Sequence, residues 1–457
     1  MIYFSPSLAL KIERAAIFLI LLLIFWLPLP KASNQPWSMA ALVVFVGCIA
    51  FLWGMLISFG NQPVQSKRHS SLGWWLFGLL MLLQVWVAVQ GVLGITLDVA
   101  QLHLYLLLGV SYSLLFVMTW YLFHTEKRLK LLLAVLIVSG TFQAFYGAVM
   151  VLSGVEWLFG IPKESGKGRA TGTFVNRNHL AGYLELTLAC GIGLLLALRD
   201  NSSFQWRNLL ELIMGPKARI RLALIIMVIG LVMTQSRMGN AAFMVALLFA
   251  GGLFVLRHPQ NRVRNGLILI SILLIDLLII SQFFGFERLK NRITDTEVTV
   301  SVEAGELIFD INDLRGLAME RMVPIVKEHA MTGVGAGSYE MHFIGQKGPG
   351  FGGHFDHAHN DYLQFWIELG LIGLLPLGLF VAVVFWQALR ALWQPDAPFQ
   401  NGLGFGVVMA LMAYLVHSFS DFNLQIPANA ATLMVICAVA VRINSISRRR
   451  SKRSLRH

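Results

Sequence analysis

Apolar and polar stretches alternate along the whole chain, and twelve of the apolar stretches are long enough, or nearly so, to cross a bilayer as helices. A bilayer core of about 30 Å requires roughly 20 helical residues. No run shows the alternation of apolar and polar residues that is typical of a membrane β-strand, so helices are predicted. The runs fall near 15–30, 37–59, 74–95, 102–123, 131–153, 179–198, 220–235, 238–256, 266–284, 362–389, 402–419 and 428–444.

The first run is short and ends at Pro28 and Pro30. A cleaved signal peptide is the alternative interpretation of this segment. We favour a membrane helix, because Lys31 is not followed by a small-x-small cleavage site and the next run starts at once.

Positive charge predicts how these runs are oriented. If the N-terminus lies in the cytoplasm, most of the 36 Lys and Arg residues fall in cytoplasmic segments, as the positive-inside rule requires. We therefore predict an all-α polytopic membrane protein with about twelve transmembrane helices and both termini cytoplasmic. Its parts are nine helices over 15–284, one large external loop at 285–361, three helices over 362–444 and a basic tail at 445–457.

Composition agrees with this class. The chain is 56% hydrophobic and 13% charged, whereas soluble domains carry about 25% charged residues. Much of the net charge of +12 comes from basic residues at and beyond the end of the last apolar run, between 442 and 456. This location indicates topology and contact with anionic lipids rather than nucleic acid. The three cysteines lie far apart in separate apolar runs, so neither a disulfide framework nor a cysteine metal site is predicted.

The large external loop has its own internal pattern. Its acidic, Thr- and Val-rich part at 293–313 is interpreted as a short hairpin or a poorly ordered stretch. The segment 313–330 has the apolar spacing of an amphipathic helix, with Asp313 as a possible N-cap and Pro324 as a predicted kink or break. A glycine-rich turn follows at 333–339; a plain turn is favoured over a phosphate-binding one.

Titratable residues crowd into the junction between this loop and the next helix. His354, His357 and His359 lie beside Asp356 and Asp361. Three interpretations remain open from the local pattern: a solvated loop that ends in a helix cap, a histidine general base, and a metal site.

Several arginines fall on the same predicted outer face. Arg237 lies in a very short hairpin between two runs, Arg169 and Arg177 in the loop at 154–178, and Arg315 and Arg321 on the loop helix. Each alone is compatible with a solvated or snorkelling cation. Together they could hold an anionic lipid head group through charge-assisted hydrogen bonds.

Two acidic residues, Glu185 and Asp276, lie within apolar runs. An acid inside a membrane helix is a functional candidate. Glu185 could face a cavity, whereas no partner for Asp276 is evident.

Several of these motifs resemble one known family. They are Arg315, the stretch 324–339, and the stretch 357–373, in which nine residues separate His359-Asn360 from Gly370-x-x-Gly373. Ser236-Arg237 and the loop at 172–178 are also similar, although Arg177 stands where many members have proline. Over about 165–390 the chain resembles the O-antigen ligase and polymerase family, which shares its fold with bacterial protein O-oligosaccharyltransferases.

The resemblance implies a bacterial inner-membrane glycosyltransferase that works on the periplasmic side without a metal or another cofactor. The donor would be a glycan on undecaprenyl pyrophosphate. By motif match, His359 would be the catalytic base, with His357 as its rival, and Arg237 and Arg315 would hold the pyrophosphate. Residues expected to bind substrate are Arg177, Asn178, Arg169, Arg321, Asn360, His357 and Glu185.

We therefore predict an O-antigen ligase that transfers to lipid A core. Its partners would be the lipid-linked glycan, the acceptor and membrane lipids, and no nucleic acid. An acceptor that is a growing glycan (polymerase) or a protein (O-oligosaccharyltransferase) keeps the same chemistry. A small-anion transporter is the alternative of another class, but the matched pairs of interrupted helices typical of transporters are not evident.

Overall fold

The computed structural model describes residues 4–59, 71–163, 166–198, 215–257, 299–303, 306–310, 314–346 and 355–454, and single positions at 262, 266 and 270. These residues form a helical bundle with two short antiparallel hairpins, β1 (Trp157–Leu158) with β2 (Ile161–Pro162), and β3 (Thr299–Glu303) with β4 (Glu306–Asp310). The helices are α1 (Pro6–Trp26), α2 (Pro36–Phe59), α3 (Ser71–Val92), α4 (Val99–Leu122), α5 (Glu126–Ser153), α6 (Arg177–Ala197), α7 (Pro216–Met233), α8 (Arg237–Arg257), α9 (Leu314–Glu328), α10 (Tyr339–Gln346), α11 (Asp361–Leu392), α12 (Pro398–His417) and α13 (Pro427–Ser454).

Nine helices among the described residues are long and apolar enough to cross a membrane, so the protein is a multi-pass membrane protein. They are α2 to α6, α8 and α11 to α13. Helices α1 and α7 match two further predicted runs, but each carries three charged residues in its N-terminal part. The predicted run at 266–284, which contains Asp276, lies outside the described residues apart from two positions. Nine of the twelve predicted spans are therefore supported.

Helices α6 and α12 meet at the centre of the bundle through glycines. Gly193 on α6 lies against Gly402 and Gly406 on α12, and a Cβ added at Gly193 would lie 2.8 Å from the carbonyl oxygen of Gly402. Small residues allow the backbones of membrane helices to approach closely, which increases van der Waals contact. This contact fixes the position of α6 relative to the N-terminal half of α12.

Helix α11 is interrupted at Gly370, which the apolar run did not predict. Gly370 has φ +60° and ψ −176°, a conformation that is essentially restricted to glycine. Segment 330–335 supplies partners for the backbone groups around this break. The Leu371 amide donates to the Ala330 carbonyl at 2.9 Å, and the Gly335 amide donates to the Glu368 carbonyl at 3.0 Å. The glycine-rich turn therefore anchors segment 330–335, which follows α9, to α11.

The amphipathic helix predicted in the external loop is α9, and its buried residues Ala318, Met322 and Ile325 pack in one cluster with α10. Of the kink or break predicted at Pro324, the break is not found, because α9 continues through it to Glu328. Burial of one apolar face outweighs the single hydrogen bond that proline removes. The hairpin considered for 293–313 is present as β3 and β4, whereas Asp313 lies outside the described residues.

Replacing Gly370 with Ala should destabilise the protein by about 2 kcal/mol or more, because a non-glycine residue is strained in this conformation and its Cβ would lie 2.3 Å from the Met331 carbonyl oxygen. Thermal unfolding in detergent measures the effect. Gly378→Ala is the matched control, since the space beside Gly378 on the same helix is open. Equal melting temperatures for the two variants would contradict the role assigned to the break.

Candidate active site

His359 lies in the last part of the loop before α11. The next residue, Asn360, is the N-cap: its side-chain oxygen accepts the Leu363 amide at 3.0 Å, and its side-chain nitrogen donates to the Phe419 carbonyl at 3.2 Å. His359 itself has φ +49°, which is uncommon for a non-glycine residue. Its side chain is 15% exposed, and its Nδ1 lies 3.6 Å from Oδ1 of Asp421. The loop geometry thus holds this imidazole against the α12–α13 connection.

Asp421, in that connection, is almost completely buried. Its Oδ2 accepts the side-chain amide of Asn178 at 2.5 Å, and its Oδ1 accepts the Phe422 amide at 2.9 Å. The same Oδ1 lies 3.6 Å from His179 Nε2 and from His359 Nδ1. Burial raises the pKa of this carboxyl, but the contacts with His179 and His359 outweigh burial and hold the pKa well below its usual range. The carboxylate is therefore ionised and can orient both imidazoles.

Three imidazole rings surround the side chain of Phe422. His357 stacks on it with a centroid distance of 4.4 Å, whereas His179 and His359 meet it edge-on at 4.6 and 4.7 Å. One apolar ring therefore sets the spacing of three titratable side chains.

Gln364 fixes the tautomer of His357. The Ala358 amide donates to Oε1 of Gln364 at 3.1 Å, so the other side-chain atom of Gln364 is the amide nitrogen. That nitrogen donates to Nδ1 of His357 at 2.9 Å and to Glu368 at 3.0 Å. Because Nδ1 accepts a hydrogen bond, the ring proton is on Nε2.

His357 is also kept uncharged. Burial lowers its pKa to about 4, despite the opposing effect of Asp356. At neutral pH His357 is thus a neutral hydrogen-bond donor, through Nε2.

Three of the predicted cations surround the turn between α7 and α8. Arg177, at the start of α6, donates to the Gln235 carbonyl at 2.9 Å, and the Gln235 side chain donates to the Gly168 carbonyl at 3.3 Å. These bonds bring Arg169 and Arg177 to the segment that continues into Arg237. Arg237 is exposed and has no hydrogen bond or ion pair within the described part of the chain. The Asn178–Asp421 bond joins the start of α6, where Arg177 lies, to the carboxylate that contacts His359.

The structure describes the other predicted anion-binding residues only in part. Arg321 is exposed on α9. For Arg315 only the backbone is described, and His354 lies outside the described residues.

The glycine-rich turn uses its amides within the protein. Val334 and Gly335 donate to carbonyls of α11, and Gly337 and Tyr339 donate to the Glu368 carboxylate. This matches the plain turn that was favoured over a phosphate site.

Glu185 forms a completely buried pair with His417 on α12. Its Oε1 lies 2.8 Å from Nδ1 of His417, and neither side chain is exposed. The structure therefore places Glu185 between α6 and α12 rather than at an open surface.

A cavity of about 750 Å³ opens beside His357 and extends between α2, α3, α4 and α11 to α13. Most of its lining is apolar, and its polar groups include His357, Gln364 and Glu368. Its shape and lining suit a long apolar chain that carries a polar end. Among the described residues, His, Cys, Asp and Glu nowhere form a group of three or more that could hold a metal ion.

Residues 222–378 match the family model described as O-antigen ligase. The chain carries an O-antigen ligase family domain. The domain extends from α7 into α11 and contains Arg237, His357 and His359, so the resemblance predicted from the motifs is confirmed. A search of curated proteins finds no match.

Three residues beside the O-antigen ligase motifs were missed in the sequence: Asp421, His179 and Gln364. Asp421 and His417 lie four positions apart at the end of an apolar run, and this polar interruption was the available signal. His179 and Gln364 had none, because each lies within a predicted helix and acts through a contact distant in the chain.

Stability should fall between pH 7 and pH 5, and His357 should account for part of the loss. The folded protein resists protonation of His357 until about pH 4, whereas the unfolded chain binds that proton near pH 6.5. Stability is therefore lost as pH falls through this window, by about 2 kcal/mol between pH 7 and pH 5.

Thermal unfolding of wild type and His357→Asn at both pH values measures this. The variant should show a smaller pH dependence, and His329→Asn, a change at an exposed histidine on the outer segment, should keep the wild-type dependence. Identical pH dependence in all three proteins would exclude His357 as the titrating group.

Proposed function

We propose that this protein is an inner-membrane O-antigen ligase that transfers a glycan from undecaprenyl pyrophosphate to a hydroxyl of the lipid A core on the periplasmic face. The O-antigen ligase family domain supports transfer of a lipid-linked glycan. The observation that carries the proposal is the contact of His359 with the buried carboxylate of Asp421, which Asn178 joins to the segment of Arg177 and so to the turn before Arg237. A base and a set of cations are the two elements that this transfer requires.

His359 is the proposed general base. Asp421 attracts the proton of His359 to Nδ1, which leaves Nε2 free to accept the proton of the acceptor hydroxyl. His357 is unsuited to this role, because its Nδ1 already accepts from Gln364 and its Nε2 carries the proton. We assign His357 instead as a neutral donor to the substrate at the opening of the cavity.

Arg237, with Arg169 and Arg177, is the proposed pyrophosphate site. The acceptor oxygen attacks the anomeric carbon of the donor sugar, its proton moves to His359, and the bond from that carbon to the pyrophosphate oxygen breaks. The leaving diphosphate keeps the bonding electrons, and the guanidinium groups stabilise its charge. The proton on His359 then passes to solvent.

Two further observations support the substrate class and the working face. The apolar cavity beside His357 offers room for a lipid chain whose head lies at the site. The segments that these contacts join are those that positive charge assigns to one face: the loop before α6, the α7–α8 turn, the loop before α11 and the α12–α13 connection.

His359→Ala and Arg237→Ala should each reduce transfer by about 100-fold or more, because a general base and the stabilisation of a leaving anion each contribute at this level. The readout is the accumulation of lipid-linked glycan and the loss of capped lipid A core, at equal membrane protein levels. Arg390→Ala removes an exposed cation at the opposite end of α11 and should transfer normally.

The outcome also identifies the acceptor. A bare lipid A core supports the ligase, whereas short glycans point to a polymerase and an unmodified protein points to an O-oligosaccharyltransferase. Wild-type transfer by both variants would refute the catalytic assignment.

Asp421→Asn should lower the turnover rate by about 100-fold with little change in donor affinity, because the imidazole loses the charge that selects its tautomer. Single-turnover kinetics with the lipid-linked donor separate these two quantities. Asp356→Asn is the control, since Asp356 is an exposed carboxyl in the same loop. Equal rates for the two variants would show that Asp421 does not orient the base.

A further inference from the structure

The β1–β2 hairpin after α5 exposes its apolar side chains and buries its charged ones, which is the opposite of a loop in water. Val155, Trp157, Phe159 and Ile161 are 56%, 53%, 62% and 63% exposed. A loop in water normally exposes its charges and buries large apolar side chains. In this loop, four large apolar side chains within seven residues face outward.

The charges of the same segment are turned inward. Lys163 donates to the Glu156 carboxylate at 2.8 Å and to the Arg169 carbonyl at 2.8 Å, and these two side chains are only 9% and 12% exposed. The Gly168 amide donates to the other carboxylate oxygen of Glu156 at 2.5 Å. The lysine and the glutamate therefore neutralise each other beneath the hairpin, and its outer surface is left without charge.

Tyr146 holds the hairpin on α5. Its hydroxyl donates to the Trp157 carbonyl at 2.8 Å and accepts the Phe159 amide at 3.3 Å. Its ring stacks on Phe159 with a centroid distance of 5.9 Å and an interplanar angle of 19°. The apolar side chains are thus presented by a braced hairpin.

The apolar surface of the hairpin continues that of a membrane-spanning helix. Phe145, Val149 and Leu152 lie on one face of α5 at helical spacing, and all three are exposed. Helix α5 is one of the nine apolar spans and ends at Ser153, immediately before the hairpin. This continuity identifies the occupant of the outer surface as lipid, because α5 presents the same face to the bilayer.

We propose that residues 155–162 insert into the boundary between the head groups and acyl chains of the bilayer as a hairpin anchor. Trp157, Phe159 and Ile161 lie in lipid, and tryptophan is typical of this depth. Because Lys163 joins the base of the hairpin to the Arg169 carbonyl, the anchor holds the segment of Arg169 at the level of lipid phosphates. This proposal is independent of the reaction that the site performs.

Collision accessibility of nitroxide labels in vesicles of phosphatidylethanolamine and phosphatidylglycerol tests the anchor. The full chain carries Cys48→Ala, since Cys190 and Cys437 are buried, and one label site at a time, Phe159→Cys or Ile161→Cys. Lys167→Cys is the matched control, an exposed position after the hairpin in the same loop. Two label sites guard against the failure of either variant to fold.

At Phe159 and Ile161 the ratio of oxygen to nickel-chelate collisions should be several-fold higher than at Lys167, because oxygen concentrates in lipid and the chelate in water. Equal ratios at the three positions would overturn the proposal by placing the hairpin in water. Protection of Phe159 and Ile161 from both reagents would also overturn it, since protein rather than lipid would then cover the surface.

Discussion

The site depends on one buried negative charge. An ionised carboxylate removed from water is very unfavourable unless hydrogen-bond donors surround it, and Asp421 obtains its partners from separate parts of the chain. Asn178 and His179 come from α6, His359 comes from the loop before α11, and the Phe422 amide follows Asp421 itself. The charge thus fixes these segments relative to one another. The glycine contact between α6 and α12 lets these two helices lie close together, as the bonds to Asp421 require.

A second constraint operates where α11 is broken. At Gly370 the external segment supplies hydrogen bonds that the helix lacks, and Gly335 bonds back to Glu368. Glu368 is in turn bonded to Gln364, which determines the tautomer of His357. The interruption of one membrane helix and the protonation of one imidazole are therefore parts of a single hydrogen-bonded network.

Hydropathy and periodicity predicted most helices of the fold, because the length of an apolar run and the spacing of apolar residues within a helix are properties of the local sequence. The run at 179–198 corresponds to α6 at Arg177–Ala197, and the apolar spacing of 313–330 corresponds to α9. Three of the twelve predicted spans are not among the nine apolar helices. Helices α1 and α7 carry several charges, and 266–284 lies outside the described residues apart from two positions.

The site was predictable only in part, because its contacts join residues far apart in the chain. The His cluster and the arginines were visible as chemistry near a membrane boundary. The contacts that support our proposal of His359 over His357 are those of Gln364 and Asp421, and the sequence did not reveal them. Asp421 lies 243 positions from Asn178. The break at Gly370 was hidden as well, since an apolar run carries no information on a single backbone angle.

The helices contribute to the site in different ways, and this affects which parts of the sequence can change without disturbing it. The partners of Asp421 come from α6 and from the connections before α11 and α13, whereas α2, α3 and α4 supply walls of the cavity. Helix α3 also bonds to the break in α11, because Trp86 donates to the Leu369 carbonyl and Gln90 to the Glu368 carbonyl. Mutations in these three helices can reshape the space beside His357 and leave the carboxylate and its imidazoles in place.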